Sequence, residues 1–144
     1  MSAPATSTPT RCISLEAAQA AVTAAVAHAR ELGIQVNVAV TDPSGLLMAF
    51  ARMPGAFVHS IDIAIDKAYT SAGFGIPTAA FMGLLEHDQA LLTGLPQRPR
   101  LVVFGGGLPI REGEVLIGGI GVSGGSAEQD EQCARAGLQA IGLA

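Results

Sequence analysis

Basic and aromatic residues are scarce in this sequence. Its 144 residues include a single lysine, Lys67, a single tyrosine, Tyr69, and no tryptophan, and aromatic residues make up 4% of the chain. The formal net charge is -4 at pH 7. Because a protein that binds a nucleic-acid backbone needs a basic face, this composition argues against a nucleic-acid partner.

Cysteine and long apolar runs are scarce as well. The two cysteines, Cys12 and Cys133, lie far apart, which favours a reduced protein without a disulfide framework. No apolar stretch reaches transmembrane length, and residues 1–12 lack the charged start and apolar run of a signal peptide. We therefore expect a cytoplasmic protein without membrane contact. Residues 1–12 are expected to form a disordered arm and residues 13–144 one domain.

Apolar residues make up 49% of the chain, which is enough for one sizeable core. Their spacing, together with the turn-forming residues, predicts three groups of elements. Helices are expected at residues 14–33, 58–74, 78–85 and 127–141, hairpins at 35–52 and 108–122, and a brief strand at 101–104. Residues 88–100 are expected to be irregular. Because most strands come in hairpins, the pattern favours an α+β fold with an antiparallel sheet flanked by helices.

Several of these boundaries depend on individual residues. Ser14 is expected to cap the first helix and Gly33 to end it, and Thr78 is expected to cap the third. The turn of the first hairpin, residues 42–45, has the Asp-Pro-Ser-Gly order of a type I turn. The stripe of the second helix that is expected to face the core consists of Ile61, Ile65, Ala68 and Ala72.

Glycines are concentrated in two clusters of the C-terminal third. The second cluster lies in GVSGGSAEQDEQ, and a glycine-rich turn before a helix is typical of an anion site. It has no P-loop lysine, however, and Glu128, Asp130 and Glu131 occupy the first helical turn. Ser126 and Gln129 form a capping box that uses the free N–H groups. A tight corner between a strand and a helix is therefore favoured.

The first cluster, Gly105 to Gly107, precedes Leu108, Pro109 and Ile110. Pro109 cannot donate to a sheet ladder, so it belongs at the edge or the start of a strand. Glycines beside an edge strand leave backbone N–H groups open and allow a ligand to come close. The same residues also suit a plain loop, and the sequence leaves both interpretations open.

Lys67 is the most distinctive candidate site residue. On a helix, no acidic residue stands three or four positions from it, so its partner comes from another element or from a ligand. A lysine supplies a compact charge whose pKa moves when it is buried, so it suits a carboxylate contact or a base. A solvated surface lysine has the same sequence pattern.

Three histidines offer further candidates. His59, Asp62 and Asp66 share a helical face and are residue types that ligate divalent metals, but a wet helix face has the same pattern, so we assign no metal site. His28 and His87 are isolated in helical contexts. No Ser/His/Asp spacing or nucleophile elbow supports hydrolysis by a serine triad.

Four sequence blocks, taken together, resemble a known family. These blocks are AVTDPSGLLMAFARM, SIDIAIDKAYTSA, GGLPI and IGGIGVSGGSAEQDEQCARAG. In this order they resemble the GlcG/HbpS family of haem-binding-like proteins, which includes the C-terminal domain of PduO-type proteins. The resemblance covers residues 13–142.

The resemblance implies a profilin-like fold, a homo-oligomer and a small-molecule ligand, which is haem in several members of the family but not in all. It implies a pocket between the helix of Lys67 and the GGLPI segment, lined by Arg52, Lys67 and residues 106–110, namely Gly106, Gly107, Leu108, Pro109 and Ile110. His28, on the first helix, is the axial-ligand candidate that it suggests.

Three classes of function remain open at this point, and the least specific is an interaction domain without pocket chemistry, whose glycine clusters serve only turns and subunit packing. The first is a protein that binds haem or another small molecule with an apolar body and carboxylate arms. The alternative is a small catabolic enzyme, an isomerase, deaminase or lyase acting on an organic acid. In that case Arg52 would hold a carboxylate, and Lys67 or His59 would carry the proton.

Overall fold

The computed structural model describes residues 1–143 and contains, within them, five α-helices and four strands. The helices are α1 (Leu15–Leu32), α2 (His59–Phe74), α3 (Phe81–Leu85), α4 (Gln89–Gly94) and α5 (Ala127–Ala140). The strands are β1 (Asn37–Thr41), β2 (Leu47–Arg52), β3 (Gly107–Glu112) and β4 (Val115–Ser123). None of the helices in residues 1–143 has both the length and the apolar character needed to cross a membrane.

The strands form one sheet in the order β2-β1-β4-β3, and every neighbouring pair is antiparallel. Helices α1 and α5 pack against each other and against one face of the sheet, and α2 covers the other face. The predicted α+β fold, an antiparallel sheet flanked by helices, is therefore confirmed.

The predicted boundary residues of α1 and of the first hairpin are confirmed. The Ser14 hydroxyl accepts a hydrogen bond from the Ala17 N–H at 3.1 Å, and Gly33 ends the helix in the left-handed region with φ of 72°. In the turn between β1 and β2, the Asp42 carboxylate accepts hydrogen bonds from the N–H groups of Ser44 and Leu46, each at 2.9 Å.

The two faces of the sheet carry side chains of very different size. Because side chains alternate along a strand, each strand presents one set of residues to α1 and α5 and the other set to α2. The set facing α1 and α5 is large and buried, and it includes Val38, Val40, Leu108, Ile110, Ile120 and Val122. The set facing α2 is small, and it includes Ala39, Gly107, Gly119 and Gly121.

The small face allows the α2 backbone to lie directly on the sheet. A Cβ atom added to Gly121 would overlap the carbonyl oxygen of Ala64, and one added to Gly119 would overlap that of Ala68. A Cβ atom on Gly107 would lie 2.7 Å from the carbonyl oxygen of Lys67. These glycines therefore set the distance between the helix and the sheet.

This packing explains why the predicted buried stripe of α2 is partly wrong. Ala68 and Ala72 are buried as expected, but Ile61 and Ile65 are only half-buried. The face in contact with the glycines carries Ala64, Lys67 and Ser71 instead, because a backbone held this close leaves room mainly for small side chains and for one long side chain at its end.

The region between α2 and β3 departs most from expectation. Residues 101–104 form no strand, and β3 is the outermost strand on that side of the sheet. The Val102 N–H instead donates a hydrogen bond to the Thr70 hydroxyl at 3.1 Å. Residues 88–100 are not wholly irregular, since Asp88 caps the short helix α4 and a 3-10 turn follows at Leu95–Gln97. Thr78 makes no cap bond; it begins a 3-10 turn at Thr78–Ala80.

Strand β3 is an edge strand whose outward donors are largely removed. The Val122 N–H donates to the Gly106 carbonyl at 2.9 Å, and the alternation of an antiparallel ladder then directs the backbone groups of Gly107 and Pro109 away from β4. The Gly107 N–H donates to the Thr78 hydroxyl at 2.9 Å, and Pro109 has no N–H. The predicted edge position of Pro109 is confirmed.

Residues 1–12 are exposed and have no helix or strand. The chain joins the fold at Ile13, which is buried and whose N–H donates to the Ile117 carbonyl at 2.9 Å. The predicted disorder of the arm stays a prediction, as does the domain boundary at Ile13.

Gly121→Ala is expected to lower the free energy of unfolding by at least about 2 kcal/mol, because the added methyl group has no space against the α2 backbone. The matched control is Gly73→Ala on the exposed side of α2, where an added Cβ meets nothing within 4 Å. It is expected to raise stability by about 0.5–1 kcal/mol. Urea unfolding followed by circular dichroism measures both, and an unchanged midpoint for Gly121→Ala would contradict the packing argument.

Candidate functional site

Lys67 lies on α2 and is buried, with 1% of its surface exposed. Its ammonium group donates a hydrogen bond to the Val122 carbonyl at 2.8 Å and forms a salt bridge with the Asp130 carboxylate at 3.1 Å. Asp130 belongs to α5, on the opposite face of the sheet. The partner of Lys67 therefore comes from another element of the chain, which is one of the two alternatives that the sequence left open.

The Lys67 side chain passes from one helical layer to the other beside Gly106, directly before the start of β3. Gly106 adopts a φ of 128°, and a Cβ atom there would lie 2.5 Å from the Lys67 Nζ atom and 3.0 Å from the Asp130 Cβ atom. Only a glycine leaves this passage open. Gly106 and Gly107, both predicted site residues, are thus brought together with Lys67 by packing.

Asp130 is held in place by a second bond. Its other carboxylate oxygen accepts a hydrogen bond from the Gly125 N–H at 2.8 Å, while Ser126 and Gln129 form the predicted capping box at the start of α5. Sequence reasoning assigned Asp130 to the helix dipole and missed its pairing with Lys67. The only signal was the lack of a local acidic partner for the sole lysine.

Burial dominates the electrostatics of this pair. Desolvation lowers the pKa of the Lys67 ammonium below its ordinary value, while the charge and the hydrogen bond of Asp130 oppose that shift. A buried charge of this kind is stable only with its partner, so the pair is a structural connection between α2 and α5.

Phe104 separates Lys67 from the surface. Its ring centroid lies 5.2 Å from the Lys67 Nζ atom, and about half of the phenylalanine is exposed. Outside it lies a surface groove of 410 Å³, which we call the Phe104 groove and which is lined chiefly by Ala79, Met82, Val103, Phe104, Gly105 and Ala127. This groove is the open space next to the GGLPI segment.

Most of the GGLPI segment faces the interior. Leu108 and Ile110 are buried in the core on the side of α1 and α5, and Pro109 is half-buried at the edge of the sheet. The Gly107 N–H is taken by the Thr78 hydroxyl. Contact between this segment and a ligand stays a prediction.

The other predicted site residues lie apart from Lys67. Arg52 ends β2, at the opposite edge of the sheet from β3, and donates to the Ala56 carbonyl at 2.9 Å. His59 is exposed at the start of α2, about 12 Å along the helix from Lys67. His28 lies on α1, in the other helical layer, with its Nδ1 atom 3.4 Å from Glu31. The catalytic roles of Arg52, Lys67 and His59 stay predictions.

The structure does not assemble His59, Asp62 and Asp66 into a metal site. Within residues 1–143, no group of three or more histidine, cysteine, aspartate or glutamate side chains is placed to hold a metal ion. Asp66 instead accepts a hydrogen bond from the Arg100 Nε atom at 2.9 Å.

A second constellation, which sequence reasoning did not find, surrounds Arg100. With φ of 66°, Arg100 is the only non-glycine residue of the described part of the chain in the left-handed region. The Thr70 hydroxyl holds this turn by donating to the Arg100 carbonyl at 3.0 Å. The Arg100 guanidinium lies over the Tyr69 ring, 3.6 Å from its centroid.

Cys133 is fully buried in the core, whereas Cys12 is exposed. Burial raises the pKa of the Cys133 thiol to about 11, and the Asp130 charge adds to that effect. The expectation that Cys133 is a small core residue is confirmed.

Comparison with known proteins identifies the family. The family model for "Haem degrading protein HbpS-like" matches residues 13–139. The chain is 37% identical over 127 residues to an uncharacterized 15.0 kDa protein of the dhaT-dhaS intergenic region of Citrobacter freundii, covering 88% of this chain and 89% of that protein. This chain therefore belongs to the HbpS-like family, as the sequence resemblance indicated.

Solved structures extend the comparison. HbpS superposes with a TM-score of 0.86 at 33% identity, covering 99% of each chain. A PduOC:haem complex superposes with a TM-score of 0.84 at 32% identity, covering 92% of this chain and 97% of that one. The corrinoid adenosyltransferase PduO of C. freundii is 32% identical over 149 residues, and the match covers 96% of this chain but only 42% of PduO.

Removing one partner of the buried pair is expected to destabilise the protein. Lys67→Met and Asp130→Asn should each lower the free energy of unfolding by about 3 kcal/mol, because each leaves a buried charge without its partner. The double variant should lose at least about 1 kcal/mol less than the sum of the single losses. Urea unfolding of all four proteins measures this coupling.

The matched control for the buried pair is the surface pair of Arg135, which is exposed, and Glu131, which is partly exposed, on α5, with their charged atoms 3.7 Å apart. Arg135→Gln is expected to change stability by less than about 0.5 kcal/mol. Strictly additive losses from Lys67→Met and Asp130→Asn would show that the pair does not connect the two helices.

The two cysteines are expected to differ in reactivity. At pH 8 the native protein should release one equivalent of thionitrobenzoate from Ellman's reagent, because Cys12 is exposed while the Cys133 thiol stays protonated and buried. Guanidinium chloride should raise the count to two. The Cys12→Ser variant should show none in the native state, and a rapid native reaction of that variant would contradict the burial of Cys133.

Proposed function

We propose that this chain binds haem, or a related ligand with a broad apolar body and carboxylate arms. The observation that carries the proposal is the similarity to the protein of the PduOC:haem complex, which extends over 92% of this chain. Membership of the HbpS-like family supports it. The adenosyltransferase activity in the name of PduO is not part of the proposal, since this chain spans less than half of PduO.

The Phe104 groove is the proposed contact surface for the porphyrin. It adjoins the GGLPI segment, and its open walls are the apolar side chains of Met82, Val103 and Phe104. A flat aromatic ring system packs favourably on such a surface. Glu128 and Glu131 line one side of the groove and repel carboxylates, so the propionate arms would point away from α5.

In this proposal Lys67 is a positioning residue rather than a direct contact. Its ammonium group is buried beneath Phe104 and already engaged with Val122 and Asp130. By holding Gly106 between α2 and α5, the pair fixes the backbone that leads from the groove into β3. Loss of the pair would therefore weaken haem binding through the shape of the segment.

The proposed axial ligand implies an assembly of copies. His28 suits the role because its imidazole is partly exposed and, among residues 1–143, has a single polar contact, at 3.4 Å with Glu31. It lies on α1, however, on the opposite face of the sheet from α2. A haem that touches both the Phe104 groove and His28 would therefore lie between two copies of the chain, as expected for a homo-oligomer.

Haemin titration tests the proposal. The purified protein should shift and sharpen the Soret band with saturation, because a defined apolar surface and an iron ligand replace water around the porphyrin. His28→Ala should weaken binding by about tenfold or more, since the iron loses a ligand. Uptake that never saturates would overturn the proposal.

Two further variants separate the parts of the proposal. His87→Ala removes an exposed histidine next to Glu86 and should leave the titration unchanged. Phe104→Ser should weaken binding without removing any iron ligand. If His28→Ala binds haemin as tightly as the unaltered chain while Phe104→Ser does not, the groove is supported and His28 is excluded as the ligand.

A further inference from the structure

A cleft of 250 Å³ lies between the outer side of α2 and the segment 95–101, and it shares no lining residue of the described chain with the Phe104 groove. We call it the Tyr69 cleft, and its walls include Tyr69, Gly73, Phe74, Leu95, Arg98 and Leu101. We infer that this cleft binds a small monocarboxylate whose body is a single aromatic or branched apolar group.

The walls of the cleft supply the apolar contact. Most of the lining surface is apolar, and Tyr69 and Phe74 leave more than a third of their surface exposed there. The side chain of Phe74 is braced edge-on by Phe81, with ring centroids 5.0 Å apart. The Phe74 ring, exposed and held in place in this way, forms a preformed surface for an apolar ligand.

The net positive charge of the cleft favours a ligand with one negative group. Arg98 and Arg100 line it, and no acidic residue of the described part of the chain does. Arg98 forms no salt bridge within residues 1–143, and Asp66 engages only the Nε atom of Arg100. Since Asp66 balances one of the two guanidinium groups, one positive charge remains, and a carboxylate matches the paired N–H donors of an arginine.

The backbone at Arg100 is strained and firmly held, which indicates that the guanidinium position is defined. A non-glycine residue in the left-handed region costs on the order of 1 kcal/mol, and the surrounding contacts must compensate. Here the Thr70 hydroxyl bonds both the Arg100 carbonyl and the Val102 N–H, and the Tyr69 ring supports the guanidinium. Both bonds come from α2, which also forms the floor of the cleft.

The size of the cleft limits the ligand. Its volume lies just below the range of about 300–1,000 Å³ that is usual for ligand pockets, so a single ring with a carboxylate fits and a porphyrin does not. The inference is therefore independent of haem binding.

Benzoate titration followed by amide chemical shifts in two-dimensional NMR tests this site. Benzoate should bind with saturation and a dissociation constant on the order of 1 mM, as expected for so small a ligand. The shifts should centre on residues 69–74 and 98–101. Benzamide, its neutral isostere, should bind at least about fivefold more weakly, because the arginines prefer a carboxylate.

Two variants test the parts of the cleft separately. Gly73→Leu should abolish benzoate binding, because its side chain fills the cleft; an added Cβ there meets nothing within 4 Å, so the helix tolerates it. Arg98→Gln should weaken benzoate binding about fivefold and leave benzamide unaffected. The matched controls are Gly83→Leu on α3, which also has open space, and Arg135→Gln on α5. Both should bind benzoate as the unaltered chain does.

Three results would overturn the inference. The first is the absence of saturable shifts at residues 69–74 and 98–101, and the second is equal affinity for benzoate and benzamide. The third is a change of oligomeric state in Gly73→Leu, measured by size-exclusion chromatography with light scattering, because the cleft would then be covered by a second copy of the chain.

Discussion

The close approach of α2 to the sheet is the constraint on which the rest of the structure depends. Gly119 and Gly121 on β4, with Gly107 on β3, leave no side chain between the strands and the helix backbone. The opposite face of the same strands carries valine, isoleucine and leucine against α1 and α5. One layer is thus thin and made of backbone contacts, while the other is a conventional apolar core.

The short distance between α2 and the sheet determines which groups the Lys67 side chain can reach. A lysine on a helix at an ordinary distance from the sheet would not reach Val122 and Asp130 on its far side. Here the side chain passes Gly106 and joins α2 to α5 through a buried ion pair. The sole lysine of the chain is therefore part of the framework beneath the Phe104 groove, and the groove itself is lined by apolar and acidic groups.

Local chemistry was predictable from the sequence, and long-range pairing was not. The caps Ser14 and Gly33, the capping box at Ser126 and the edge position of Pro109 follow from the residues themselves. The pairing of Asp130 with Lys67 could not be predicted in this way, because an acidic residue in the first turn of a helix already has a local role in balancing the helix dipole. The apolar run at 101–104 lacks a neighbouring strand, and the turn at Arg100 depends on a threonine thirty residues away. For the candidate site, the sequence indicated Lys67 and the glycines near it, but not the side of the molecule that each would face.

The two edges of the sheet differ in the backbone hydrogen-bonding groups that they leave free, and this difference affects whether a further strand can be added. At β3, the Gly107 donor is bound by Thr78 and Pro109 has none to offer, so a further strand would find few partners there. At β2 the situation differs, because the ladder with β1 directs the backbone groups of Phe50 outward, and no strand of residues 1–143 lies beyond it. Addition of a strand, whether from another copy in an assembly or in aggregation of destabilised protein, is therefore favoured at the β2 edge of the sheet over the β3 edge.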